Sequence, residues 1–265
     1  MKEHTFAETN AATSLGAQLT GHDLDMPRHK RRSLSISLSY RLVWLSKHIL
    51  GSKRVLRFCL NASWLLRRFA FELSSEVFGD SFQSEARALT DDLLERWVPP
   101  GGSVIDIGCG SGRWCRTAAR YGNRVLGIDQ SEINIRAAKR VSTETNIEYI
   151  AGDFMEACNQ NRFEQRFDLA ILLHVVEHVE DVDHLLKLIA QISSTLIIEV
   201  PDFDSDPLNM VRRVLGCPYY TDGDHVREYT RPMLRSELER NGWTIVHEEQ
   251  RHGAILAVAT QANPE

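Results

Sequence analysis

Residues 104–112 read Val-Ile-Asp-Ile-Gly-Cys-Gly-Ser-Gly. A short apolar run bounded by glycines is the mark of a buried strand ending in a turn. Gly108, Gly110 and Gly112 allow the backbone to turn tightly and a ligand to approach within contact distance. A helical stretch, 113–121, follows. A glycine loop between strand and helix is a weak signal for a dinucleotide, and here the spacing is G-x-G-x-G. Asp106 stands two residues before the first glycine. A carboxylate there opposes a pyrophosphate at the helix N-terminus and suits a ligand with a cationic end.

Working outward, four more apolar runs resemble the first: 124–128, 147–150, 168–173 and 195–200. Helical patterns at 131–141 and 182–192 separate some of them. Short, almost wholly apolar strands alternating with helices predict an α/β fold with a parallel sheet covered on both faces. A helix at 230–241 leads into WTIVHEEQ and AILAVAT, joined so closely at His252–Gly253 that they must form an antiparallel hairpin. Upstream, Ser84 is placed to cap a helix whose Ala86, Leu89, Leu93 and Trp97 share one face, and Pro99–Gly102 stops it.

The second strand runs to Asp129, 23 residues after Asp106. An acid at that distance from a glycine loop is placed to hydrogen-bond ribose hydroxyls. The third strand leads to Gly152-Asp153-Phe154, where a carboxylate can accept from an adenine amino group beside an aromatic ring. Taken in order, VIDIGCGSG, GID, GDF and DLAILLHVVEHVED resemble the motifs of the class I S-adenosylmethionine-dependent methyltransferases over roughly residues 84–260. The resemblance implies a Rossmann-like, seven-stranded, mostly parallel sheet with a terminal antiparallel hairpin. It also implies S-adenosyl-L-methionine (AdoMet) as cofactor, bound by Gly108, Gly110, Gly112, Asp129 and Asp153. Asp106 would structure the loop, Gln130 and Phe154 would flank ribose and base, and His174 would border the methionine part.

Residues 174–178, His-Val-Val-Glu-His, have the H-x-x-E-H spacing of an inverted zinc-protease motif. That motif needs both histidines on one helical face, whereas the run DLAILL places His174 at a strand end. In the methyltransferase reading His178 faces the acceptor as general base. The segment also resembles the E-x-x-E-H of ubiquinone-pathway O-methyltransferases and of small-RNA 3′-end ribose methyltransferases. That likeness implies a divalent-metal set of His174, Glu177, His178 and His225. Histidine at the first position removes a negative charge and favours softer ions such as zinc over magnesium. The competing reading leaves His178 to act alone. No N-P-P-[YF] tetrapeptide follows the fourth strand, which argues against base or glutamine N-methylation and for a hydroxyl acceptor on a small molecule, lipid-linked intermediate or glycan. The long stretch 201–229 reads as a lid, with Tyr219, Tyr220, His225 and Tyr229 available to an acceptor pocket. The rivals are a metal-dependent RNA ribose methyltransferase and a non-catalytic AdoMet-binding partner protein.

The net charge of −5 conceals three blocks: −3 over 1–27, +10 over 28–72 and −12 over 73–265. Residues 1–32 are polar and predict a disordered tail. Residues 33–83 form a basic helical appendage, with two helices broken near Gly51–Ser52. Arginines interleaved with Trp44, Phe58, Trp64, Phe69 and Phe71 suit either a cap on the main domain, 84–262, or a peripheral contact of residues 33–73 with an anionic membrane; nucleic acid is the least favoured partner. Five scattered cysteines make no disulfide framework, and neither an apolar leader nor a spanning run of about 18 apolar residues is present. The expectation is a cytoplasmic enzyme.

Overall fold

The computed structural model describes residues 34–78, 84–163 and 165–261. The expected tail at 1–32 lies outside them, as do the side chains of Ser84, Ala86 and Leu89. The chain divides into two units, Met1–Arg87 with Pro207–Tyr219, and Ala88–Asp206 with Tyr220–Glu265.

The larger unit is built on a seven-stranded sheet. Its strands are β1 (Ser103–Ile107), β2 (Arg124–Asp129), β3 (Ile147–Ala151), β4 (Leu169–Leu173), β5 (Thr195–Pro201), β6 (Trp243–Arg251) and β7 (Ala254–Gln261). The order is β3-β2-β1-β4-β5-β7-β6. β1 to β5 pair in parallel, and β7 lies antiparallel to both β5 and β6. The expected hairpin and parallel sheet are present. The order runs outward in both directions from β1 and β4, so a switch point opens between their carboxyl ends, the place where such sheets bind ligands.

Alternation along the strands builds two cores. In β4, Leu169, Ile171 and Leu173 face one core, and Ala170 and Leu172 face the other. The first core is closed by α3 (Ser84–Trp97), α4 (Arg113–Arg120) and α5 (Glu132–Val141), through Leu93, Leu94, Cys115, Ala118, Ile135 and Ala138. The second is closed by α6 (Phe154–Asn159), α7 (Val182–Ile192) and α9 (Arg231–Arg240), through Phe154, Leu185, Ile189, Leu234 and Leu238. Four of the helices start where an oxygen-bearing side chain satisfies a free amide. Ser131 accepts from Asn134 N, Asp153 from Glu156 N, Asp181 from His184 N and Thr230 from Met233 N. The six-residue α6 is too short to show a helical period, and the sequence reading missed it.

The smaller unit holds α1 (Leu34–Leu50) and α2 (Ser52–Phe78), joined at Gly51 in the left-handed region, and α8 (Leu208–Leu215). The expected break at Gly51–Ser52 is there. The lid stretch is divided: Pro207–Tyr219 groups with α1 and α2. The reason is local. The buried Arg212 guanidinium donates to the Leu60 carbonyl at 2.7 Å and to Ser63 Oγ at 2.9 Å, which ties α8 to α2.

The turn from β1 to α4 positions everything that follows. Gly108 N and Cys109 N both donate to the Ile128 carbonyl, at 2.8 and 3.1 Å, so the turn is sewn to the tip of β2. Gly112 has φ +74°, and a Cβ there would strike the Tyr149 hydroxyl and come within 2.8 Å of its ring carbon Cζ. Tyr149 is held in turn by Ser142 Oγ at 2.8 Å. Asp106 points away from the turn into the first core, where Cys115 Sγ donates to its Oδ2 at 3.1 Å. Burial pushes its carboxyl up to about 7; the Cys115 hydrogen bond opposes this and the charge of Asp129 adds to it.

Two outcomes are expected. Gly112→Ala combines left-handed strain with the Tyr149 collision and should cost about 2–4 kcal/mol in denaturant unfolding. Asp106 has a folded pKa above its ordinary 3.8, so its stabilising proton is fully held below pH 3.8 and lost as the pH rises through 7. Asp106→Asn cannot ionise, so its melting temperature relative to the parent should rise between pH 5 and pH 8; a constant or shrinking difference would contradict the assignment.

Candidate active site

At the carboxyl ends of β1, β2, β3 and β4 lies a cleft of about 420 Å³, within the usual range for a small-molecule site. Gly108, Asp129, Gln130, Asp153, Phe154, His174 and His178 all border it. Of the other residues expected to bind the cofactor, Gly110 and Gly112 are not among its lining, and Asp106 is not because its side chain is committed to Cys115.

Asp129 closes the β2 tip. Its Oδ2 accepts from Gly110 N at 2.8 Å, and its Oδ1 accepts from Ser131 N at 2.8 Å and Asn134 Nδ2 at 3.2 Å. A carboxylate offers about four acceptor positions, so one remains for a ligand hydroxyl. A Cβ built on Gly110 meets nothing within 4 Å, so the turn presents bare backbone to open space. Asp153 caps α6 through Oδ1 at 2.8 Å and accepts from Gln130 Nε2 at 2.6 Å. The Gln130 amide, expected to flank ribose or base, is therefore tied to Asp153. Phe154 is buried and stacks on Phe163 with ring centroids 5.8 Å apart, so it forms the wall of the cleft from the core side.

On the other side of the switch point, His174 follows β4 directly with φ +58°. Its Nδ1 faces Glu177 Oε1 at 3.3 Å and its Nε2 faces Glu199 Oε1 at 3.2 Å. Burial lowers its pKa, but the two carboxylates outweigh that and push it up to about 10. Each ring nitrogen therefore faces a carboxylate. Glu177 and His178 sit on a single 3-10 turn, Val176–His178, so the helical face that a zinc protease needs is missing.

Among the described residues, Glu177, His178 and His225 bring one ligand atom each within 4.8 Å of the others. His174, expected as a fourth ligand, is not part of this set; its ring nitrogens face Glu177 and Glu199. The trio suits a divalent ion on two observations. Glu177 is fully buried and its Oε2 has no hydrogen-bond partner, which is costly unless something pairs it. His225 Nδ1 lies 3.0 Å from Glu228 Oε1 in a site where both side chains are almost fully buried. That contact holds the proton on Nδ1 and leaves the Nε2 lone pair, the usual carboxylate support of a ligating histidine. The donor set of one carboxylate and two imidazoles suits borderline ions better than magnesium. The Val226 and Arg227 amides donate to the Glu177 carbonyl at 2.9 and 3.3 Å and bring this loop to the 3-10 turn.

Three residues of the site were not read in the sequence. Asp224 borders the cleft with Oδ2 at 3.4 Å from His178 Nδ1; Glu228 supports His225, and Glu199 faces His174. The H-x-x-E spacing of 225–228 was the one available signal. Of the tyrosines expected around an acceptor, Tyr229 is instead fully buried in the second core.

The comparisons with known proteins agree with this geometry. The chain is 40% identical over 86 residues to the ubiquinone biosynthesis O-methyltransferase of Bradyrhizobium diazoefficiens, covering 32% of each protein. It is 34% identical over 154 residues to that of Bartonella tribocorum, covering 55% of this chain and 61% of the relative. The match thus spans between a third and three-fifths of the relatives' length. Among solved structures, magnesium protoporphyrin IX methyltransferase from Synechocystis, with bound SAH, aligns with TM-score 0.54 at 17% identity over 79% of this chain and 100% of that one. The PH0226 protein of Pyrococcus horikoshii aligns with TM-score 0.55 at 21% identity over 69% and 92%. At these identities the likeness is one of fold. The methyltransferase-domain family matches residues 81–248, well over half of the chain. With its ordered glycine turn, strand-tip acids and reversed seventh strand, the chain belongs to the methyltransferase-domain family.

Proposed function

We propose that this chain transfers a methyl group from AdoMet to a hydroxyl oxygen of a small-molecule, lipid-linked or glycan acceptor. The observation that carries the reading is the cleft at the switch point, where Gly108, Asp129 and Asp153 on one side meet His174 and His178 on the other. Asp129 takes ribose hydroxyls and Asp153 the adenine amino group, while the open face of Gly110 admits the methionine part. His174, held between Glu177 and Glu199, borders the cleft on the methionine side. The names of the relatives, O-methyltransferases of ubiquinone biosynthesis, support an oxygen acceptor.

Transfer breaks the sulfonium S–CH₃ bond and forms an O–CH₃ bond, and the hydroxyl proton must leave near the transition state. His178 is suited to take it. Its Nδ1 lies 3.4 Å from Asp224 Oδ2, and a proton kept on that nitrogen leaves Nε2 as the acceptor. A second reading rests on the buried, partnerless Glu177 oxygen. Glu177, His178 and His225 would hold a divalent ion, which as a Lewis acid supplies activation and orientation of the hydroxyl. His178 then serves as a ligand, and Glu228 keeps His225 in register.

Calorimetric titration with AdoMet and S-adenosylhomocysteine should show saturable heat for both; no heat would refute the proposal. Asp129→Ala and Gly110→Ala should each weaken AdoMet binding roughly tenfold or more, the first by removing an acceptor and the second by filling the approach. Gly110→Ala should be milder for stability than Gly112→Ala, since its strain is not joined by a collision. His178→Ala should reduce turnover roughly 10²–10⁴-fold with little change in AdoMet affinity. Exhaustive chelation separates the two mechanisms: undiminished turnover assigns proton removal to His178 alone, and loss restored by zinc or manganese assigns the trio to a metal. Comparing metabolites with and without the protein for pairs differing by CH₂ identifies the acceptor.

A further inference from the structure

The smaller unit carries an apolar surface that its own helices leave open. On α1, Leu38, Leu42, Leu45 and Ile49 recur at four, three and four residues along one face and are 50–69% exposed. Tyr40, Val43 and Trp44, on its other sides, are 51–71% exposed. A helix apolar all round belongs in a protein core or an apolar medium. On α2, Phe58, Leu65, Phe69 and Leu73 recur at seven, four and four residues and are 45–74% exposed. In α8, Leu208, Met210 and Val214 are 44–77% exposed. Cations run through the same helices, with Arg41 and Lys47 on α1 and Lys53, Arg54 and Arg57 in the first turns of α2. Residues 34–78 hold seven Lys/Arg against two Glu, net +5.

We propose that α1 and α2, with α8 tied to them through Arg212, dock on an anionic phospholipid surface. The helices lie on the bilayer instead of crossing it. At about 1.5 Å per residue α1 is about 26 Å long, short of the roughly 30 Å hydrocarbon core, and no described helix is long and apolar enough to span a membrane. Leucine, isoleucine and phenylalanine side chains enter the acyl boundary, the rings of Tyr40 and Trp44 take the headgroup level, and arginine and lysine meet lipid phosphate. Charge and composition favour lipid over the other occupants. A second copy of this unit would bring together two segments that each carry a net +5. A nucleic acid would neutralise the cations but leave the leucines and phenylalanines in water. Docking is separable from methyl transfer, because none of these residues borders the cleft.

The full chain should float with vesicles of phosphatidylcholine containing about one-third phosphatidylglycerol, and float roughly tenfold less with phosphatidylcholine alone or at high salt. Leu42→Glu with Phe58→Glu changes exposed side chains only. It should reduce flotation roughly tenfold or more with an unchanged melting temperature and unchanged AdoMet heat. Arg54→Glu with Arg57→Glu should reduce it roughly 25-fold or more, at about fivefold per charge. Three results would overturn the proposal. One is no flotation on anionic vesicles at low salt. Another is flotation indifferent to both double variants. The third is the exposed face explained otherwise, by dimers that Leu42→Glu with Phe58→Glu dissociates or by salt-sensitive RNA binding, with vesicles inert.

Discussion

A single carboxylate, that of Asp129, holds the site in shape. One of its oxygens takes the amide of Gly110 at 2.8 Å and the other takes Ser131 N at 2.8 Å. The glycine turn after β1 is thereby fastened to the start of α5 across the tip of β2. Its backbone would otherwise carry unpaired amides at the mouth of the cleft, which costs on the order of a hydrogen bond each. The same turn is closed from below by Ile128 O and from behind by Tyr149 against Gly112. Three constraints from β2 and β3 therefore converge on five residues. The cleft exists because that turn cannot relax into it.

The opposite wall is organised by charge. His174 stands between Glu177 and Glu199, and Glu177 in turn faces His178 and His225. An imidazolium there neutralises part of a carboxylate pair that would be expensive to leave together in a buried place. The histidine at the head of the H-x-x-E-H run thus faces both carboxylates, while Glu177, His178 and His225 bring one ligand atom each together. The loop 221–228 supplies the remaining parts. Glu228 orients His225 and accepts from Thr221 N at 2.6 Å, and Asp224 faces His178. Its closeness to the 3-10 turn rests on two backbone hydrogen bonds to the Glu177 carbonyl.

Much of this was legible beforehand because the signals were local. The strands around Val104–Ile107 and Leu169–Leu173 announce themselves as short apolar runs, since a strand buried on both faces admits little else. The glycine turn and the acids at 129 and 153 are likewise matters of adjacent residues. The trio of Glu177, His178 and His225 was only partly legible. Glu177 and His178 are neighbours, but His225 comes from a loop 47 residues later, and the partner of His174 Nε2, Glu199, lies at the end of another strand. Tyr229 read as an accessible aromatic in a polar stretch, yet packing buried it completely. The grouping of Pro207–Tyr219 with α1 and α2 follows from Arg212, whose partners lie about 150 residues away.

Sequence alone determined the class of fold, the order of its strands and of the longer helices between them, the glycine turn and the acids beside it. Each follows from periodicity, turn chemistry or spacing within a few residues, which folding does not reassign. Tertiary structure alone decided which carboxylate meets which histidine, where Asp106 points, and which apolar side chains stay exposed. Those are contacts between segments far apart in the chain. Their outcome depends on packing and on the cost of burying charge, and neither is written in any one stretch of residues.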